Sequence, residues 1–233
     1  LVGHAPVSLS AAQAAALPLT AITAWELLFD RLRLSRRSSN QAPQSLLVVG
    51  AAGGVGSVLV QLVRELTDLT LVATASRPES VAWLHHLGVE HVINHYESFS
   101  QQLAGLELPP LRSAISLTHS GDHFAQLVEV LEPQGALALI DDPPAQSIDV
   151  LAMKRKSLSL HWELMFTRSL FHTPDMAQQG ALLARVADLV ESGTIRSTVG
   201  RQLGPITADN LCRAHGLMES QTSVGKVVLA GWP

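Results

Sequence analysis

The sequence predicts an α/β fold: one doubly wound parallel sheet covered by helices on both faces, with short segments of a second unit at the two ends. Three observations point there. Short, continuously apolar runs alternate with stretches of helical periodicity along residues 46–166. Those runs lack the in/out alternation of a half-exposed strand, so both faces of each strand are covered, as in parallel sheets. A glycine cluster at residues 50–56 falls between the first apolar run and the first long helical pattern, where a strand must turn sharply into a helix.

The elements follow in chain order. Residues 1–20 are rich in Ala, Leu and Pro and end in Pro18-Leu19-Thr20, and a helical pattern runs on through Ala24, Leu27, Leu28 and Leu32. The polar stretch 35–45 contains Pro43 and is expected as an exposed loop. Residues 46–49 (LLVV) form a first strand, and a helix follows through Val58, Leu59, Leu62 and Leu66. Residues 71–75 are a second strand; a helix at 78–87 is opened by Pro78 and closed by Gly88. Strands are expected at 91–93, 114–117 and 136–140, with a helix at 123–131 before Pro133 and Gly135, and a long sixth strand at 157–166. Thr173-Pro174-Asp175 has the cap, proline and early acid of a helix start, and the pattern continues through Leu182, Leu183, Val186 and Leu189 to Gly193. A strand at 195–203, a helix capped by Thr207 and ending near Ser220, and a closing strand at 226–230 complete the chain. With right-handed crossovers, this order makes a Rossmann-like sheet.

Composition narrows the function. Hydrophobic residues make up 47% and charged residues 15% of 233 residues, which favours a buried core over disorder. The net charge of −4 gives no reason to expect a nucleic-acid or membrane-surface partner. Cys212 is the single cysteine, so a reducing compartment, the cytoplasm, is expected. No run of apolar residues reaches the roughly 20 needed to span a bilayer. The chain starts at Leu1 without a methionine, which reads as a cut chain.

The chemistry centres on Gly50-Ala51-Ala52-Gly53-Gly54-Val55-Gly56-Ser57. Backbone without Cβ atoms can approach a pyrophosphate, and the helix N-terminus offers free N–H groups and a positive dipole end. Set on the usual G-x-G-x-x-G frame, alanine at 51 replaces the first glycine. The second strand ends Thr74-Ala75-Ser76-Arg77, with no acid there to hold a ribose 2′-hydroxyl. A hydroxyl and a guanidinium suit a 2′-phosphate instead. The expected cofactor is therefore NADP(H), with Gly53, Gly54, Val55, Ser76 and Arg77 in its site. A short-chain dehydrogenase is excluded, because its Tyr-x-x-x-Lys dyad cannot be built on Tyr96, the only tyrosine, with Ser100 four residues on.

The segments 14–28 (AALPLTAITAWELL), 48–57 (VVGAAGGVGS), 73–80 (ATASRPES), 87–95 (LGVEHVINH) and 225–231 (GKVVLAG) resemble the zinc-type alcohol dehydrogenase (medium-chain dehydrogenase/reductase) superfamily, and within it the quinone oxidoreductase subfamily. The resemblance covers essentially the whole chain. It implies a GroES-like substrate domain normally preceding Leu1. Residues 1–20 would be its tail, 21–166 the NADP-binding domain, 167–194 a connecting helix, and 195–233 the return to the substrate domain. It also implies cofactor contacts by Thr20, His95 (where the family often has a tyrosine), Leu117, Thr118, Ile140, Asp141 and Lys226. A homodimer acting on a quinone or an α,β-unsaturated carbonyl compound is implied too; no catalytic residue is assigned.

Zinc is not expected. Zinc-dependent relatives carry a ligand cysteine four residues before the Thr of a Thr-Ala-aromatic triplet; here the triplet is Thr23-Ala24-Trp25 and the earlier residue is Leu19. Leucine has no donor atom for Zn²⁺. The pairs His85-His86 and His119/His123 lack a third ligand nearby. Trp162, Met165 and Phe166 are candidates either for a wall beside the nicotinamide or for plain core packing. Two alternatives stay open: a zinc-dependent alcohol dehydrogenase, and a module that binds NADPH without turnover.

Overall fold

A computed structural model of the chain describes residues 2–37 and 42–233; residues 38–41 of the expected polar loop lie outside the described residues. The chain opens with α1 (Ala11–Ala15), started by a reciprocal Ser10–Gln13 capping box, and α2 (Pro18–Trp25), which continues as a π-helical segment, Glu26–Arg31. The alternating part comprises β1 (Ser45–Val49), α3 (Gly54–Leu66), β2 (Thr70–Thr74), α4 (Pro78–His86), β3 (His91–Ile93), α5 (Phe99–Ala104), β4 (Leu111–Ser116), α6 (Ser120–Val130), β5 (Ala136–Leu139) and β6 (Ser159–Trp162). After it come α7 (Thr167–Leu170), α8 (Gln178–Glu191), β7 (Val199–Gln202), α9 (Ala208–Glu219) and β8 (Lys226–Val228).

The six-stranded sheet is parallel throughout, in the order β3-β2-β1-β4-β5-β6. This is the doubly wound order, with its reversal between β1 and β4. Successive residues of β1 serve opposite cores. Leu46 and Val48 pack with α2, α3, α4 and α8, whereas Leu47 and Val49 pack with Phe99 of α5, Phe124 and Leu127 of α6, and Met153. Every residue of β1 is buried, which explains its uninterrupted apolar run. Strands β7 and β8 make a separate parallel pair, tied to the glycine loop through the Gly53–Gly225 bridge.

The helical stretch Ala11–Arg31 is long and apolar enough, by length and composition, to cross a membrane, contrary to the count of apolar runs in the sequence. Residues Thr20 to Trp25 of α2, with Glu26, Leu27 and Leu28 beyond it, are all buried, so this is the core helix of the fold.

Two expected elements are corrected. The long strand at 157–166 shrinks to Ser159–Trp162: Ser157 has a left-handed φ of 52°, and beyond Glu163, whose N–H still donates to Leu139 O, β5 offers no further partner. The helix expected to start at Thr173 begins at Gln178. Thr173 and Asp175 are engaged elsewhere: the Thr173 hydroxyl donates to Asp175 Oδ1 at 2.6 Å, and Asp175 Oδ2 accepts from Arg168 Nε at 3.0 Å.

That arginine belongs to a buried charge network locking α2 to the region after β6. Arg168 reaches Glu26 Oε1 (2.5 Å) and Asp30 Oδ2 (3.0 Å), and Arg31 Nε reaches Glu163 Oε2 (2.6 Å). Gln179 of α8 adds a donor to Glu26 Oε1 at 2.9 Å. Burial works against the charge on Arg168, but Glu26, Asp175 and Asp30 outweigh it and hold the guanidinium protonated. Burial, and then the neighbouring Glu26 carboxyl, push Glu163 up to about 8.

Candidate functional site

A cleft of about 300 Å³ opens at the C-terminal ends of β1, β2 and β4, at the strand-order reversal. This is where ligands of doubly wound sheets bind. The glycine loop forms its floor, Thr74 to Arg77 with Ser80 and His95 one side, and Leu117, Thr118 and Ile140 another.

Each loop glycine has its own reason. Gly50 takes φ +78°, and an added Cβ would meet Thr118 Cγ2 at 2.9 Å. A Cβ on Gly56 would lie 2.3 Å from the Ala51 carbonyl oxygen, so only glycine lets α3 start against the strand end. Gly53 is different: its φ of −72° is ordinary, and a Cβ would meet nothing nearer than Gly50 O at 3.4 Å. Nothing within the chain demands glycine there, and the bare backbone faces the cleft. The turn glycine is thus Gly50, not the residue at 51 that the usual frame suggests; the spacing is Gly50-x-x-Gly53-x-x-Gly56.

Nine of the residues expected in the cofactor site line this one cleft: Gly53, Gly54, Val55, Ser76, Arg77, His95, Leu117, Thr118 and Ile140. Three lie outside the lining. Thr20 is buried, and its hydroxyl donates to the carbonyls of Ala16 and Leu17 at 3.1 and 3.0 Å. Lys226 lays its stem against Gly54, where a Cβ would come within 2.6 Å of Lys226 Cδ and 3.4 Å of Thr20 Cγ2, so both flank the loop. Asp141 turns to the start of α6, accepting from Ser120 N at 2.9 Å and from the Ser120 hydroxyl through a short contact. Its carboxylate therefore anchors the helix that follows β4. Trp162 and Phe166 are half-exposed outside the cleft, and Met165 packs against the core.

Gly50 and Gly56 stood in the glycine cluster read from the sequence, but no cofactor contact was assigned to them, nor to Ala52, Thr74, Ala75, Ser80, Gln221 and Ser223 of the lining. Gln221 and Ser223 come from a turn after α9 that only the β7–β8 pairing brings to the loop.

The histidine group beside the cleft is compact. The His95 ring lies 4.5 Å from that of Tyr96 and 5.9 Å from that of His123, which stacks on Phe99 at 5.6 Å. His119, held at φ 51°, has Nδ1 2.9 Å from Thr118 Oγ1. Burial first, then His123, His119 and Arg77, lower the His95 pKa below its usual 6.5.

The residues present do not fit a zinc site. Leu19 is half-exposed on α2 with no donor atom, and His85 Nδ1 is 2.8 Å from Val89 O. No three His, Cys, Asp or Glu side chains converge among the described residues.

Comparison with known proteins agrees with the fold. A family model for zinc-binding dehydrogenases matches residues 68–229. The chain belongs to this family. It is 35% identical to a zinc-type alcohol dehydrogenase-like protein of Staphylococcus aureus, over 98% of this chain and 68% of that one. A solved structure from Rhizobium etli CFN 42, assigned as a zinc-dependent alcohol dehydrogenase, superposes with a TM-score of 0.92 at 49% identity, covering 99% of this chain and 67% of that one. The tomato 2-methylene-furan-3-one reductase is 26% identical over 98% of this chain and 49% of its own length. The chain is thus an oxidoreductase-family member that spans about two thirds of the length of the staphylococcal and rhizobial proteins.

Proposed function

We propose that the chain is the cofactor-binding part of an NADP(H)-dependent, zinc-independent reductase of quinones or α,β-unsaturated carbonyl compounds. The observation that carries it is the convergence, in one cleft, of an unoccluded Gly53 backbone at a helix N-terminus with Ser76 and Arg77 at the end of β2, where no carboxylate stands. The loop and the start of α3 fit a pyrophosphate, Ser76 and Arg77 a 2′-phosphate, and Leu117, Thr118 and Ile140 the crossing of the sheet edge. Bound there, the dihydronicotinamide supplies the hydride. The chain's own residues contribute binding, orientation and exclusion of water. The tomato relative, a reductase of a methylene-furanone by name, supports an activated carbonyl as the acceptor. Leu19, which has no donor atom at the position where zinc-dependent relatives carry a ligand cysteine, supports a reaction without zinc.

Residues 1–20 and 195–233 belong, on this reading, with the substrate-binding unit, and a second copy is the expected partner. The sheet edge at β6, with half-exposed Trp162 and Phe166 and largely exposed Phe171, supports self-association. Titration with both dinucleotides tests the core of the proposal: NADPH binds at least tenfold tighter than NADH. Equal affinities would refute it.

A further inference from the structure

Resting on the NADP(H) reading above, we infer that His95 is a proton-linked selector: it engages the 2′-phosphate as imidazolium, so the preference for phosphorylated over unphosphorylated dinucleotide grows as pH falls from about 8 towards about 6.

The inference stands first on placement. His95 follows β3 and lines the same cleft as Ser76, Arg77 and Ser80, on the β2 side where the 2′-phosphate is assigned. It is half-buried and packed between Tyr96 and His123, so its ring is held beside the cleft.

The charges around it explain why it is poised. Arg77 from the β2–α4 turn and His119 and His123 from the start of α6 act on it directly; Asp122 and Asp141 act on the adjacent His123, and Glu97 lies two residues along its own turn. Two of these carboxylates are already engaged: Asp141 on Ser120, and Glu97 as acceptor from Asn94 Nδ2 at 2.8 Å. Burial and three basic neighbours therefore prevail and favour the neutral imidazole in the free protein. A dianionic phosphate placed between Arg77 and His95 reverses the local sign and favours the imidazolium. Binding then takes up a proton at His95.

The sign and size follow from linkage. A group whose pKa rises on binding makes binding tighter as pH falls, by up to about tenfold per pH unit between its free and bound pKa values. The effect levels off near pH 6, where a phosphate monoester takes its own proton. Arg77 alone gives the opposite trend, because it depresses the phosphate pKa and so disfavours binding as the phosphate protonates. NADH lacks the group and shows no such slope. A tyrosine in this place, with an ordinary pKa near 10, would bind the phosphate without titrating in this range.

The test is calorimetric titration of the chain with NADPH and with NADH at pH 6.5, 7.25 and 8, each in two buffers of different ionisation heat, for the parent, His95→Gln and His95→Tyr. We expect NADPH affinity to rise about five- to tenfold from pH 8 to 6.5 with fractional proton uptake, NADH affinity to stay flat, and both variants to lose slope and uptake. A pH-independent NADPH preference, or a slope that survives in either folded variant, overturns the role of His95 and leaves the cofactor reading intact. Equal affinity for both dinucleotides at every pH, unchanged in Arg77→Ala, overturns the cofactor reading and this inference with it.

Discussion

Replacing Glu163 by Gln should change the pH dependence of stability more than stability itself. Glu163 and Glu26 each bury one carboxyl oxygen, Oε1 and Oε2 respectively, that finds no protein donor. The two carboxyls are neighbours, and one proton shared between them is the expected way for both oxygens to be satisfied. Around them stand Asp30, Asp175, Arg31 and Arg168: two guanidiniums facing four carboxyl groups. The native state thus keeps Glu163 protonated up to about 8, whereas its ordinary value is 4.5. Because the folded pKa is raised, the proton's contribution is fully present below pH 4.5 and is lost as pH rises through about 8. At about 1.4 kcal/mol per pH unit the ceiling is about 5 kcal/mol. Arg31, whose side chain is 29% exposed, opens the pair to solvent screening, so about 2 kcal/mol is the expected loss between pH 6 and pH 9. Gln keeps the shape, offers Glu26 an N–H at any pH, and still presents an oxygen to Arg31. Urea unfolding of parent and Glu163→Gln at pH 6 and pH 9 decides the matter. The variant should lie within about 1 kcal/mol of the parent at pH 6 and exceed it by about 2 kcal/mol at pH 9. Parallel pH profiles for the two proteins would refute the shared proton.

Three further outcomes are expected. Arg77→Ala should weaken NADPH by about ten- to hundredfold, as loss of a charge-assisted contact of about 1.5–3 kcal/mol implies, and leave NADH unchanged in the same titration. Gly53→Val and Gly56→Ala should separate binding from folding. The first should abolish stabilisation by NADPH with a melting temperature within a few degrees of the parent, while the second, which forces a Cβ to 2.3 Å from Ala51 O, should destabilise the apo-protein by about 2 kcal/mol or more. Elemental analysis of the purified chain should find well under one zinc per chain; one equivalent would show that a donor set has been missed.

The legible parts of the fold were those in which one strand or one loop carries the whole signal. The strand β1 is buried on both faces, so four successive apolar residues announce it; the loop after it must admit a helix start against a strand end, which writes glycine into the chain at Gly50 and Gly56 whatever binds there. The cleft's β2 side was legible for a similar reason: Ser76 and Arg77 directly follow a strand whose end is fixed by its pairing with β1 and β3. Segments whose fate depends on distant partners were not legible. The residues 157–166 have strand composition throughout, yet the strand stops where β5 ends and Glu163 is drawn to Arg31, a pairing across 132 residues. Thr173 and Asp175 look like a helix start locally, and the structure diverts them to Arg168, whose charge is needed by Glu26. The same contrast separates Asp141 from the nine expected residues that line the cleft. Its position after β5 was right, but the start of α6 takes its carboxylate, because a free helix N–H favours an anion. Sequence pattern places a residue at a strand end; which neighbour takes its side chain is settled only by the elements that converge there.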